Sequence, residues 1–234
     1  MNKIETDLEK IKEMAIAFLM VDIEPTKVDF IASHPFTSSW FSYIDGEGIV
    51  DLHNNEVADR WRKEIKKTIR ELDLKGIFFL LNKPYILNFL KFTEKYLSDE
   101  DLGTILSIFW QTIEQISLDN SISGTNIVKI FKRASKETLM NEDERKIFNS
   151  LPEQVTVYRG VTSYNKNKKK AFSWTTDKEI AEWFANRYNT GTGEVWTLTV
   201  PKERILCAFE GREKEVIVNL YNYKNAEQMI VHKL

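Results

Sequence analysis

The chain has 234 residues, of which 42% are hydrophobic and 29% are charged, and its formal net charge is −2 at pH 7. This composition is ordinary for a soluble globular protein and excludes the bulk positive charge of a general nucleic-acid-binding protein. The chain has one cysteine, Cys207, so an internal disulfide cannot form and a cytoplasmic location is expected.

The sequence supports neither a membrane protein nor a metalloprotein. The N-terminus does not resemble a secretory signal, and no run of residues approaches the ~20 apolar residues of a membrane-spanning helix. The three histidines, His34, His53 and His232, do not have metal-ligand spacing with one another. We therefore expect no membrane segment and no metal site.

The first half of the chain is predicted to be mainly helical, because its apolar residues recur at helical spacing. Its main helices are expected over Ile4–Val21, Ala58–Leu72, Phe78–Leu97 (interrupted by Pro84) and Leu102–Ile116. Between Pro25 and Asn54 lies a less regular stretch that includes the aromatic residues Phe30 and Tyr43. Two interpretations of it stay open: a loop packed on the helical core, or an exposed interaction surface.

The second half combines short helices with strands. Residues 119–124 have the composition of a linker, so the chain is predicted to form two domains, 1–120 and 121–234. Helices are expected over 126–134 and 141–151, and strands over 155–159, 171–175, 194–200, 204–209, 213–220 and 228–233. The fold class is therefore α+β, with a helical N-terminal domain. Residues 1–150 carry a net charge of −5 and residues 151–234 carry +3, the latter mostly through the lysine tract Asn165–Lys170.

Two segments place polar residues where a ligand could use them. In Val155–Gly160, Arg159 has the same parity as Val155 and Val157, so it ends the apolar side of a strand. It either holds a phosphate, with Gly160 allowing close approach, or reaches out to water. In Ala171–Asp177, Ser173 and Thr175 share a face, and a capping box from Thr176 opens a helix over Asp177–Tyr188. The Ser173 and Thr175 hydroxyls either bind a ligand or only cap the start of the helix.

A third segment pairs two carboxylates. Residues 212–218 read R-E-K-E-V-I-V, and a strand there would place Glu213 and Glu215 on one face, about 7 Å apart at ~3.3 Å per residue. Like charges so placed oppose folding, yet a site that stabilises a cation and activates a nucleophile has a use for both. The alternative is a solvated face of an edge strand.

In this order, the three segments resemble the mono-ADP-ribosyltransferases of the Arg–Ser–Glu class, including toxin-like bacterial and phage enzymes. The matching segments are Tyr158–Gly160, Ser173–Thr175 and Glu213–Glu215, supported by Glu182–Ala185 and Val195–Lys202. The resemblance covers about residues 151–234 and implies a split β-sandwich after the helical domain. Trp174 departs from the family pattern, which usually has a small polar residue there.

The resemblance implies an enzyme that uses NAD as a substrate and breaks its nicotinamide–ribose bond. Glu215 would stabilise the ribose cation, Ser173 would orient Glu215, and Arg159 would hold a phosphate or the nicotinamide-side ribose. Glu213 would activate the acceptor, with Gly160 meeting the carboxamide. Thr175 would also line the NAD site. Tyr188 is preferred over Phe184 as the aromatic residue that stacks on nicotinamide.

The acceptor is not settled by the resemblance. Protein arginine is favoured by the Glu at position 213, whereas RNA or DNA bases are the alternative, with Lys166–Lys170 attracting phosphates. A non-catalytic interaction module is a third hypothesis. Residues 1–120 are expected to regulate, to select the target or to dock an inhibitory protein, and a role in bacterial or phage conflict, such as a toxin–antitoxin pair, is expected by analogy.

Overall fold

A computed structural model describes residues 5–113, 122–163, 165–166, 170–187 and 193–234. The chain divides into two compact units: Met1–Ser98 with Ile108–Glu114, and Asp99–Ser107 with Gln115–Leu234. Both contain helices and antiparallel strands, so the predicted α+β class is confirmed. Within the described ranges, no helix is both long and apolar enough to cross a membrane.

The helices of the first unit do not all begin at side-chain caps. They are α1 (Leu8–Leu19), α2 (Asn55–Glu71), α3 (Leu74–Leu80), α4 (Ile86–Thr93) and, divided between the two units, α5 (Asp99–Phe109). The Asp7, Asn54 and Asp73 side chains accept hydrogen bonds from the first turns of α1, α2 and α3. Pro84 lies in a 3₁₀ turn between α3 and α4, so the predicted interruption is confirmed.

The stretch between Pro25 and Asn54 forms strands instead of an irregular loop. A three-stranded sheet contains β1 (Glu24–Pro25), β2 (Ile31–His34) and β3 (Thr37–Ser39), and a hairpin contains β4 (Phe41–Ile44) and β5 (Gly48–Asp51). The hairpin forms because Gly46 and Gly48 adopt positive φ angles of 78° and 83°, which residues with a Cβ rarely adopt. The prediction that the first domain is helical was therefore incomplete.

The second unit is built on a six-stranded antiparallel sheet. Its strands are β6 (Gln154–Val161), β7 (Ser173–Thr175), β8 (Glu194–Pro201), β9 (Ile205–Phe209), β10 (Glu215–Val218) and β11 (Ile230–Lys233), in the order β11-β8-β6-β7-β10-β9. Its helices besides the α5 portion are α6 (Gly124–Arg133), α7 (Lys136–Leu139), α8 (Glu142–Ser150) and α9 (Lys178–Asn186). Val155, Val157, Trp174 and Trp196 belong to its buried core.

Trp174 takes its place in this core because it alternates with Ser173 and Thr175 along β7. It is 2% exposed, and its ring nitrogen donates to the Ala171 carbonyl at 2.9 Å. A large residue between two polar ones is therefore a packing feature of this sheet.

The middle of the sheet contains a narrow connection between two well-paired blocks. Strands β6 and β8 pair over eight positions, from Gln154 opposite Pro201 to Val161 opposite Glu194. Strands β7 and β10 pair over three positions. Between the blocks, β6 and β7 pair at Tyr158 opposite Thr175. The next residue of β6, Arg159, has no paired residue on β7, and the candidate site begins there.

Candidate functional site

Arg159 lies where β6 and β7 separate. It follows Val155 and Val157 on the alternation of β6, as predicted, and its Nη1 donates a hydrogen bond to the Ser173 carbonyl. Its Nε is buried and has no hydrogen-bond partner among the described residues. Burying a guanidinium with an unpaired N–H donor destabilises the folded protein unless a negative charge lies nearby.

The compensating charge on this unit is Glu215. Burial lowers the pKa of Arg159 to about 10, while the nearby Glu215 carboxylate opposes that lowering. Arg159 therefore keeps its positive charge at neutral pH. Glu215 is 8% exposed and is the first residue of β10, paired with Thr175 on one side and Phe209 on the other.

The sheet register brings the predicted polar residues of two strands onto one face. Ser173 pairs with Ile217, and Thr175 pairs with Glu215. Because directly opposed residues of antiparallel strands point to the same side, Ser173, Thr175 and Glu215 share a face. Tyr158 joins them through its pairing with Thr175, whereas the next residue, Arg159, leaves β6 on the face of Val157 and contacts the Ser173 backbone carbonyl. Three segments that are distant in sequence thus meet at the junction of β6, β7 and β10.

Thr175 also has a local structural role. It is 6% exposed, and its Oγ1 accepts a hydrogen bond from the Asp177 backbone at 3.1 Å. The N-cap of α9 is Asp177, whose carboxylate accepts from the Glu179 backbone at 3.0 Å. The predicted capping box from Thr176 was wrong, because the N-cap of α9 is the Asp177 carboxylate, one residue later.

Glu213 and Glu215 do not lie in one strand, so the predicted face shared by the two carboxylates is wrong. Glu213 is exposed in a turn, and β10 begins only at Glu215. Between them, Lys214 has a left-handed φ of 42°, and its backbone N–H donates to the Gly211 carbonyl at 2.9 Å. Because this turn precedes β10, the strand alternation on which the prediction depended does not extend back to Glu213. The Lys214 ammonium pairs with Asp177 at 2.7 Å, which attaches the turn to the start of α9.

Gly160 is required by packing, and its expected contact with the carboxamide of NAD stays a prediction. A Cβ built at Gly160 would lie 2.2 Å from the Ala181 carbonyl oxygen and 2.5 Å from the Phe184 Cβ. Helix α9 therefore rests directly on the backbone of β6 at this point. The Gly160 backbone is itself paired in the sheet opposite Val195.

The aromatic residues near the end of α9 are only partly described. Tyr188 lies outside the described residues. Phe184 packs toward β6, as expected for the apolar face of the helix. The residue that sequence reasoning missed is Trp183, which is 61% exposed and lies edge-on to Phe184 at 5.0 Å. The sequence indicates Trp183 only as an aromatic residue on the face of α9 opposite the buried Ala181 and Ala185.

A second missed residue is Glu144, a carboxylate that is 8% exposed on α8. Its Oε2 accepts from the Asn141 backbone at 2.8 Å and completes a capping box. Its Oε1 accepts from the Glu210 backbone at 3.2 Å. Glu144 thus connects α8 to the turn that precedes Glu215. The sequence pattern Asn141-x-x-Glu144 predicts the cap but not the contact with Glu210.

Known proteins offer no guide to this arrangement. No protein family, curated protein or solved structure was found to match the chain. Within the described residues, no group of three or more His, Cys, Asp or Glu side chains could hold a metal ion. Function must therefore be inferred from the junction that contains Arg159, Ser173 and Glu215.

Proposed function

We propose that this protein is an NAD-dependent mono-ADP-ribosyltransferase whose second unit is a split β-sandwich of the ADP-ribosyltransferase type. The observation that carries the proposal is the meeting of three motif residues at one junction. Arg159 hydrogen-bonds the Ser173 backbone, 14 positions further along the chain, and interacts electrostatically with Glu215 on β10. A cation and a carboxylate in one partly buried place suit a substrate that has phosphates and develops positive charge.

In the proposed reaction, the bond between nicotinamide and ribose breaks and its electron pair leaves with nicotinamide. Positive charge develops on the ribose, and the Glu215 carboxylate stabilises it, as carboxylates do in glycoside hydrolysis. Ser173 orients Glu215, since both lie on one face of the sheet. Arg159 holds a phosphate or the nicotinamide-side ribose and keeps NAD in position. Thr175 lines the same face, and Tyr188 remains the proposed stacking residue.

Transfer to the acceptor is assigned to Glu213, acting as general base. The acceptor nucleophile attacks the ribose carbon and gives its proton to Glu213. The exposed position of Glu213 in the turn before β10 suits contact with a macromolecule, whereas the buried Glu215 suits contact with NAD. Protein arginine is the favoured acceptor, because its guanidinium can pair with the Glu213 carboxylate.

The test of the proposed function is release of nicotinamide from NAD by the purified full-length protein. Glu215→Gln keeps the size of the side chain and removes its charge, so turnover should fall on the order of 10²-fold or more. Glu203→Gln, an exposed carboxylate outside β10, is the matched control and should turn over NAD normally. Undiminished nicotinamide release by folded Glu215→Gln protein would refute the assignment.

A nucleic-acid acceptor is the second candidate, because of the lysine tract. Lys166 is already paired with the buried Glu194 at 2.5 Å, so among the described lysines of the tract the exposed Lys170, 5.6 Å from the centre of the Tyr221 ring, is the one left to attract phosphates. Labelled NAD incubated with a cell lysate, followed by separate nuclease and protease digestion, distinguishes the acceptors. Label that survives protease and is lost on nuclease treatment would reject protein arginine. A chain that labels nothing and releases no nicotinamide would be a non-catalytic module.

The first unit is proposed to select the target or to dock an inhibitory protein in the cytoplasm, in a bacterial or phage conflict system. The outer face of the β4–β5 hairpin carries Phe41, Tyr43 and Ile49, which are 49%, 65% and 81% exposed. Exposed apolar side chains on one strand face favour a protein contact. Tyr43→Asp should lower labelling of the acceptor and leave nicotinamide release unchanged. Equal loss of both activities would contradict this division of roles.

A further inference from the structure

A pocket lies in the second unit, at the end of β10 that is remote from Glu215. It has a volume of about 260 Å³ and lies between α6 and the turn after β10. Its polar lining residues are Thr125, Lys132, Arg204, Asn219, Tyr221 and Asn222. Asn219 follows β10 directly, so it lies about 13 Å along the strand from Glu215 at ~3.3 Å per residue. The predicted motif residues do not line it.

The charges of this pocket are unbalanced. Lys132 and Arg204 both line it, and no carboxylate is among its lining residues. In the part of the chain that the structure describes, neither of them forms an ion pair: Lys132 is exposed, and Arg204 donates through Nη1 to the Tyr221 carbonyl at 3.1 Å. Two cations in one pocket repel each other, and a bound anion relieves that repulsion.

Neutral donors accompany the two cations. Asn219 is 7% exposed, and its side-chain oxygen accepts from the Tyr221 backbone at 3.1 Å. The Asn219 side chain also lines the pocket, where its amide nitrogen can donate to a ligand. Asn222 adds a second amide from a left-handed turn position with φ 56°.

The aromatic wall of the pocket is held in place on two sides. The Tyr221 ring stacks on Phe172 at 5.5 Å with an interplanar angle of 21°. A Cβ at Gly124, the first residue of α6, would lie 1.9 Å from the Tyr221 hydroxyl oxygen, so only glycine allows this contact. Lys170 lies near the same ring and adds a third positive charge close to the pocket. Because the Tyr221 ring is already fixed before binding, little conformational entropy is lost when a ligand binds against it.

We propose that this pocket binds the phosphate group of a phosphate ester. Lysine, arginine and two amides can donate to several oxygens of one tetrahedral anion, whereas a carboxylate offers two oxygens. The volume exceeds that of a phosphate alone, and the Tyr221 ring provides a surface for the attached sugar. The source is either a small nucleotide or a polynucleotide strand. This inference does not depend on the proposed NAD chemistry.

The test is calorimetric titration of the full-length protein with inorganic phosphate at low salt, with acetate as the comparison anion. Lys132→Gln removes one cation from an exposed position and should weaken phosphate binding about tenfold, equivalent to about 1.4 kcal/mol. Lys129→Gln is the matched control, because Lys129 is also exposed on α6 and does not line the pocket. It should bind phosphate like the unmodified protein.

Asn222→Gly provides a second variant, since glycine keeps the left-handed backbone and removes the amide. It should weaken phosphate binding by about threefold. Equal effects of Lys132→Gln and Lys129→Gln, no phosphate binding, or acetate binding as tight as phosphate would each overturn the proposal.

A single-stranded RNA decanucleotide identifies the source of the phosphate. Loss of RNA binding in Lys132→Gln but not in Lys129→Gln would support a polynucleotide ligand. Weaker phosphate binding with unchanged RNA binding would support a small nucleotide. In either case, release of nicotinamide from NAD is measured separately, so failure of the proposed enzyme activity does not affect the outcome.

Discussion

The Nη1 atom of Arg159 donates a hydrogen bond to the backbone carbonyl of Ser173, where β6 and β7 part. One position earlier, Tyr158 and Thr175 still pair in the sheet. The Arg159 side chain thus links β6 to β7 at a position where the two backbones no longer pair. The guanidinium is planar and has several donors, so Arg159 can hold Ser173 and still present donors to a ligand.

Arg159→Lys tests this double role. A lysine ammonium is a single point charge, so it cannot hold the Ser173 carbonyl and a substrate phosphate with the same fixed geometry. Losing one charge-assisted hydrogen bond should raise the KM for NAD on the order of 10-fold to 100-fold. Steady-state nicotinamide release measures this, with the exposed Arg212→Lys as the control. An unchanged KM in folded Arg159→Lys would mean that Arg159 does not hold NAD.

Glu213→Gln should separate transfer from hydrolysis. Glu213 is exposed in the turn before β10, whereas Glu215 is buried within the sheet, so the two carboxylates meet different reactants. Removing the proposed general base should lower transfer to the acceptor on the order of 10²-fold and leave NAD hydrolysis by water within a few-fold.

The measurement compares labelled acceptor with released nicotinamide in the same reaction. Glu210→Gln is the matched control, since Glu210 is exposed in the same turn. Parallel loss of transfer and hydrolysis in Glu213→Gln would argue against separate roles for the two carboxylates.

The sequence predicts the strands of the second unit well, because alternation is a local property. The β6 strand is found at Gln154–Val161 and carries Val155, Val157 and Arg159 in the predicted alternation. The same rule failed at Glu213, because a turn through the left-handed Lys214 precedes β10 and single-sequence alternation does not reveal it. Two carboxylates two residues apart therefore lie in different environments.

Longer-range contacts could not be predicted from local patterns. The sequence predicts that Gly160 follows an arginine at a strand end, which favours a ligand-approach site, yet Gly160 lies within β6 and is needed because α9 lies against it. The contact between Glu144 and the Glu210 backbone joins residues far apart in sequence. The hairpin β4–β5 was missed because its apolar residues Phe41, Tyr43 and Ile49 face outward, which hides the usual inward alternation.

His34 should make the stability of the first unit depend on pH. Its ring is 1% exposed and lies 5.4 Å from the Trp61 ring. Burial, which dominates, and the charge of Arg62 lower its pKa from 6.5 to about 4. The Phe36 backbone N–H donates to Nδ1 at 3.1 Å, so Nδ1 must keep its lone pair and Nε2 donates to the Leu19 carbonyl at 3.3 Å.

Protonation of Nδ1 would therefore remove a hydrogen-bond acceptor inside the unit. The folded form resists protonation, so between about pH 4 and pH 6.5 the unfolded form binds more protons. The stabilising effect of a neutral His34 is fully present above pH 6.5 and is lost as the pH falls toward 4, by at most about 1.4 kcal/mol per pH unit.

Urea unfolding of the full chain across this range, monitored by tryptophan fluorescence, measures the change in the free energy of unfolding. His34→Gln should be less stable at pH 7 and should show a shallower pH dependence, whereas His53→Gln, at an exposed position, should retain the slope. An identical slope in His34→Gln would show that other groups cause the acid sensitivity.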